Sequence, residues 1–227
     1  MSEYSAAETA RRQIAEICRR LDGLGYTPSN DACVSYRLPN GHVLTLPTGV
    51  YRRKAVARDI VEVDGQGKMT RDGGFLRPSP DTAMHLAIYD VHRSMQAIIN
   101  AEPPFAVMCS MSGRALDDAL VSTGVVHLGK VPILPFALPG SPELKSAAAR
   151  ECAGRFALLL ENRGAIVWGD NLFEACARLE TLERCAMISF CLSRRERRRI
   201  PKKAIEKLIV SRAQYGVNLG GTPHGSR

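Results

Sequence analysis

Cys33–Leu46 reads CVSYRLPNGHVLTL. Two short runs rich in β-branched and aromatic residues, CVSYRL and HVLTL, flank Pro39-Asn40-Gly41, a turn signal, so the stretch predicts a β-hairpin. A hairpin early in a chain that also carries helices predicts a mostly antiparallel sheet, not strictly alternating strands and helices. Upstream, Ala6–Leu24 places Ile14, Ile17, Cys18 and Leu21 at helical spacing and stops at Gly25. Downstream, DIVEVD (59–64) predicts a third strand, RDGGFLRPSP (71–80) a loop, and TAMHLAIYDVHR a helix starting near Asp81. Then follow a strand at MQAIIN, a helix at PPFAVMCSMSG, and short strands near GVVHL and VPILPF. Last come a helix over SPELKSAAARECAGRFALLLE, a strand at GAIVWG, and a long helix from Asn171 to about Leu192. The expected class is α/β of the α+β type, a central and mostly antiparallel sheet flanked by helices.

The bulk properties bound the rest. With 227 residues of which 45% are hydrophobic, the chain has material for one core, and a single domain over 1–227 is expected. The apolar stretch VVHLGKVPILPFALPG is broken by Lys, Gly and Pro well short of the roughly 20 residues of a membrane span. The N-terminus lacks the basic-then-apolar order of a signal peptide, so a cytoplasmic protein is expected. Seven cysteines with no CxxC pair suggest buried thiols, not a disulfide or zinc framework. Much of the formal charge of +8 sits in SRRERRRIPKK, Ser193–Lys203. Without aromatic interleaving this reads as a solvated helix end, a hinge and a short closing helix, and no nucleic-acid partner is expected.

One detail asks for chemistry. In QAIINAEPPFAV, Gln96–Val107, an apolar run ends in Asn100 and Glu102 just before a Pro pair. A buried strand that ends in an amide and a carboxylate one residue apart points them at something.

The pieces VSYRLPNGHVLTLPTG, DIVEVDGQGK, RPSPDTAMHLAIY, MQAIINAEPPFAV, VPILPFALPGSPEL and LLLENRGAIVWGDNLFEACARLETLE, with the tail AQYGV, stand in an order that resembles the class II aldolase/adducin family. The resemblance implies a three-layer fold and a homotetramer with clefts between subunits. Aldolases of this family hold a divalent metal, usually zinc, with three histidines. It polarises a carbonyl and stabilises the enediolate formed on carbon–carbon cleavage. Here the matching positions carry Asn100, Glu102 and Arg163, and His42, His85, His92, His127 and His224 offer no pair at ligand spacing. The resemblance thus implies that the family's metal site is lost, and no cofactor is expected. Arg163 and Glu102 would converge as an opposite-charge pair. Either that pair fills the vacated space, or the guanidinium binds a substrate carboxylate, phosphate or enolate oxygen.

The remaining site residues follow the same resemblance. Asp81 matches the family's catalytic Glu, with a side chain shorter by roughly 1.5 Å, and could equally cap its helix. Thr48, Gly49 and Ser79 match the phosphate-binding loops, Pro80 replaces a second Ser, and Ala32-Cys33 replaces Gly-Asn, with Asn30 nearby as a substitute contact. Tyr215 matches a tail Tyr that acts across a subunit boundary, or it is a packing residue at an oligomer interface. Two functions follow. One is a metal-independent lyase performing an aldol-type, decarboxylation or isomerisation step on a small oxygenated substrate bearing a carboxylate or phosphate. The other is a non-catalytic, adducin-like oligomerising or ligand-binding module.

Overall fold

The Cys33–Leu46 stretch folds into strands β1 (Cys33–Arg37) and β2 (Val43–Thr45), antiparallel with Ser35 opposite Thr45 and Arg37 opposite Val43. The computed structural model describes residues 3–70, 74–113, 116, 118–192 and 197–217. Five further strands, β3 (Val61–Val63), β4 (Ala97–Ala101), β5 (Ile133–Leu134), β6 (Ala157–Leu160) and β7 (Gly164–Gly169), complete one sheet. Its order is β3-β2-β1-β4-β7-β6-β5, and only the β5–β6 pairing is parallel. The chain is an α/β protein with a mixed, mainly antiparallel sheet.

Helices cover both faces. One core joins α1 (Glu3–Gly23), α3 (Pro104–Met111) and α6 (Leu172–Cys191) to Ala97, Ile99 and Ala101 of β4 and to Ala165 and Val167 of β7. The other joins α2 (Thr82–Val91) and α5 (Pro142–Cys152) to Ile98, Ile166 and Trp168. Side chains of a strand alternate between faces, so Asn100, in register with Ile98, is aimed at the α2 face. β4 lies between β1 and β7 and is buried throughout, which fits its unbroken apolar run.

Two expectations are corrected. GVVHL is not a strand: Ser122–His127 forms helix α4, whose Val125 packs with Ile205 of helix α7 (Lys202–Val210). A pair of valines suggests β structure locally, but the apolar contact on one side decides for helix. The long helix expected over 141–161 is two elements. α5 stops at Cys152, Gly154 takes a left-handed φ of 67°, and Ala157–Leu160 continues as β6, fully buried in mid-sheet. α5 starts as the sequence suggests, with Ser141 Oγ accepting from the Leu144 N–H at 3.2 Å. Part of the basic segment, 193–196, lies outside the described residues, and α7 is the short closing helix expected after it.

Candidate active site

The β6–β7 turn is driven against the end of β4. Gly164 adopts φ 97°, and a Cβ there would stand 2.4 Å from the Ala101 carbonyl oxygen and 2.9 Å from Glu102 Cα. Only glycine permits that approach. It sets Arg163 beside the polar end of β4.

The guanidinium does not pair with Glu102 as the sequence suggested. Arg163 Nη2 donates to both oxygens of Asp81, at 3.1 and 2.9 Å, forming an ion pair that is almost fully buried. A carboxylate as enclosed as Asp81 needs a counter-charge more than the half-buried Glu102 does. Nor does Asp81 cap α2, for its side chain makes no capping hydrogen bond.

Asn100 binds Asp81 from the other side, donating from Nδ2 to Oδ2 at 3.1 Å. Its orientation is dictated by His85, whose Nε2 lies 2.8 Å from Asn100 Oδ1. An amide oxygen only accepts, so Nε2 carries the hydrogen and Nδ1 accepts from Ser35 Oγ, 2.8 Å away. Tyr89 Oη lies 3.0 Å from Ser35 and donates to the Gln96 carbonyl at 3.1 Å. The donors thus run one way, from Ser35 through His85 and Asn100 to Asp81. Burial pushes His85 down to about 4, against the opposing pull of its Asn100 hydrogen bond and the Asp81 charge, so the imidazole is neutral at neutral pH.

His85 supports two predictions. His85→Leu orphans Asn100 Oδ1 and the Ser35 hydroxyl and should cost roughly 2–4 kcal/mol in urea denaturation. The second concerns pH. Below about 6.5 the unfolded chain protonates this histidine while the folded state refuses the proton until about 4, so stability should fall as pH drops through that window. Comparing denaturation midpoints at about pH 7 and about pH 5 checks it: wild type should lose more than His85→Gln, which has no proton to take.

Glu102 faces a different partner. Asp31 lies near it, and burial first, then the Asp31 charge, push its pKa up while Arg163 opposes them. Just beyond it, both oxygens of Glu183 on α6 accept the N–H groups of Phe105 and Ala106 at 2.9 and 2.8 Å, closing the N-terminus of α3.

The loops of the expected phosphate site meet nearby. Thr48 N–H donates to the Arg77 carbonyl at 2.9 Å and Pro47 bridges Pro78, bringing Thr48 and Gly49 alongside Ser79. Gly49 is left-handed at φ 83°, and Ser79 Oγ accepts the Asp81 N–H at 3.3 Å. Asn30 is committed elsewhere: Nδ2 donates to the Val50 carbonyl and Oδ1 accepts the Arg52 N–H, both at 2.6 Å. Tyr215 is exposed in a 3-10 turn, Ser211–Tyr215. The adjoining Val217 packs on Phe156, at the end of the β6–β7 hairpin opposite Arg163. Within one chain Tyr215 therefore stands apart from the Asp81–Arg163 cluster.

The profile of the class II aldolase and adducin N-terminal domain matches residues 12–190. The chain belongs to that family. A 3-oxo-tetronate 4-phosphate decarboxylase of Escherichia coli strain CFT073 is 28% identical over 218 residues, covering 92% of this chain and 99% of the relative. The L-fuculose phosphate aldolase of Escherichia coli K12 is 29% identical over 164 residues, covering 72% and 74%. Among solved structures, YgbL of Escherichia coli, a putative aldolase/epimerase/decarboxylase, superposes with a TM-score of 0.82 at 25% identity over 89% of this chain and 99% of its own. The two relatives matched by sequence, a decarboxylase and an aldolase, are lyases.

In this member of the class II aldolase family the polar end of β4 does not fit a divalent cation. The Asn100 oxygen already accepts from His85, Arg163 brings a fixed positive charge, and among the described residues no group of three His, Cys, Asp or Glu is placed to hold a metal. Sequence reading missed His85, Tyr89, Ser35 and Asp31. For two of them a signal existed, since Asp81, His85 and Tyr89 recur every four residues and share one face of α2.

Proposed function

We propose that this chain is a lyase that works without the family's three-histidine metal, cleaving a carbon–carbon bond, by decarboxylation or an aldol-type step, in a small oxygenated substrate with a phosphate or carboxylate. The observation that carries the reading is Arg163 Nη1, a buried guanidinium nitrogen with no hydrogen-bond partner among the described residues. Asp81 takes up Nη2, so the fork keeps a free N–H beside an ionised carboxylate. An unpaired buried donor is costly unless a ligand uses it. When carbon dioxide leaves a 3-oxo acid, the bonding electrons move to the neighbouring carbonyl oxygen, and a preorganised guanidinium stabilises that charge where it develops. Thr48, Gly49 and Ser79 would seat a phosphate, and the decarboxylase relatives, named for a 4-phosphate substrate, support that assignment.

The same reading includes a cytoplasmic homotetramer in which Tyr215 serves a neighbour's site. Light scattering should then give about four times the 24.8 kDa chain; a monomer would remove Tyr215 from the site. Thermal shift with 3-oxo-tetronate 4-phosphate and simple carboxylates and phosphates tests the ligand class. A ligand at 100 times its Kd should stabilise the fold by about 2.7 kcal/mol, and Arg163→Lys should lose most of that. Failure of every small anion to stabilise would favour a non-catalytic module.

A further inference from the structure

We propose that Ser35, His85 and Asn100 form a positioning chain that stops Arg163 from closing two nitrogens on Asp81, so that Nη1 stays open for the substrate oxygen that gains charge during bond cleavage. The inference rests on the lyase reading above and names the residues that prepare its charge-stabilising donor.

An arginine beside a carboxylate ordinarily lays two nitrogens against the two oxygens, since that parallel fork makes the stronger pair. Arg163 does otherwise. Nη2 alone reaches both oxygens of Asp81, at 3.1 and 2.9 Å, and Nη1 is left buried with no hydrogen-bond partner among the described residues. A buried donor without a partner costs free energy that the fork would recover, so the guanidinium must be held out of it. Asp81 Oδ2 is already engaged, because Asn100 Nδ2 donates to it at 3.1 Å. With the amide on that oxygen, the guanidinium meets the carboxylate through a single nitrogen.

The amide is locked in turn. The last torsion of an asparagine side chain is broad, and a lone amide would follow the guanidinium as it moved. Here the Asn100 oxygen takes the His85 Nε2 hydrogen at 2.8 Å, and His85 Nδ1 accepts from Ser35 Oγ at 2.8 Å. The three residues are buried and stand on three elements, Ser35 on β1, His85 on α2 and Asn100 on β4. Groups supported from helices and strands keep tighter geometry than groups on loops. From the opposite side, Gly164 seats the β6–β7 turn against Ala101 and fixes where the Arg163 side chain begins.

The open N–H serves the transition state. A donor already aimed at a carbonyl oxygen needs no reorganisation when that oxygen becomes negative, so its effect falls on kcat and not on KM. Ser35, His85 and Asn100 act through Asp81 and Arg163, and are positioning residues.

Hydrogen-bond scalar couplings from the Arg163 guanidinium nitrogens to the Asp81 carboxyl carbon, measured by NMR, read the arrangement without a substrate. Wild type should show coupling from Nη2 alone, and Asn100→Ala from two nitrogens. The triple variant Ser35→Ala/His85→Leu/Asn100→Leu makes every member of the chain apolar, so its Tm should stay within about 4 °C of wild type. It should show the two-nitrogen pattern, and with 3-oxo-tetronate 4-phosphate its kcat should fall by about 10²–10³-fold at nearly unchanged KM. A purely structural chain would leave kcat intact in a variant that stable. His85→Gln, whose amide donates to Asn100 and accepts from Ser35, should keep the wild-type coupling and most of the kcat that His85→Leu loses. Coupling from two nitrogens in wild type, from one in Asn100→Ala, or wild-type kcat in the folded triple variant would overturn the proposal. Asn100→Ala decides it if the triple variant does not fold. A wild type that turns over no 3-oxo-tetronate 4-phosphate counts against the lyase reading, and the couplings still decide how Arg163 is held.

Discussion

Replacing Arg163 by Ala is expected to destabilise the protein by about 3–5 kcal/mol, because it strands a buried carboxylate without its counter-charge. Asp81 is buried to within a few per cent, and its other donor is the neutral amide of Asn100. Asp81→Asn in the Arg163→Ala background should recover part of the loss, since the double variant buries no charge. A double-mutant cycle in urea measures this coupling, and additive effects would show that the pair carries no interaction energy. Arg163→Lys separates stability from function. It keeps a charge for Asp81 but loses the planar fork, so the fold should survive while anion binding does not.

Gly164→Ala should be comparably severe for a different reason. A Cβ at 2.4 Å from the Ala101 carbonyl oxygen meets backbone, which cannot swing aside as a side chain would, and the φ of 97° is itself strained for alanine. Relief requires the β6–β7 turn to move off β4, and a loss of about 3 kcal/mol or more is expected. Because the turn carries Arg163, variant protein that still folds should also lose the Arg163–Asp81 contact. Its Tm and anion binding should fall together. Substitution at Gly113, also left-handed but with open space around it, is the control for strain without collision.

The sequence exposed the fold where the pattern was local and lost it where the decision was made at a distance. Pro39-Asn40-Gly41 announces its hairpin, and the apolar run of Ala97–Ala101 announces a central strand. ALLL at 157–160 reads as the end of a helix because α5 precedes it closely; pairing with β5 and β7 makes it a strand. The site divides in the same way. Asn100, Glu102, Asp81 and Arg163 were visible as residues, and the structure brings them together at one end of β4. Their partners were not visible. Nothing in the sequence says that Asp81, not Glu102, takes the guanidinium, because that choice depends on the relative burial of two carboxylates. Asp31 carries no signal at all, since only the fold brings its charge near Glu102.

The central claim is that a guanidinium stands in for a metal as the anion centre of this site. Calorimetric titration of chelator-treated protein with 3-oxo-tetronate 4-phosphate, wild type against Arg163→Lys, tests it most directly. The account predicts saturable binding by the treated wild type, unchanged by added zinc and weakened at least about tenfold, or about 1.4 kcal/mol, in Arg163→Lys. Binding that appears only when a divalent cation is restored, or that is equally strong in Arg163→Lys, would contradict it.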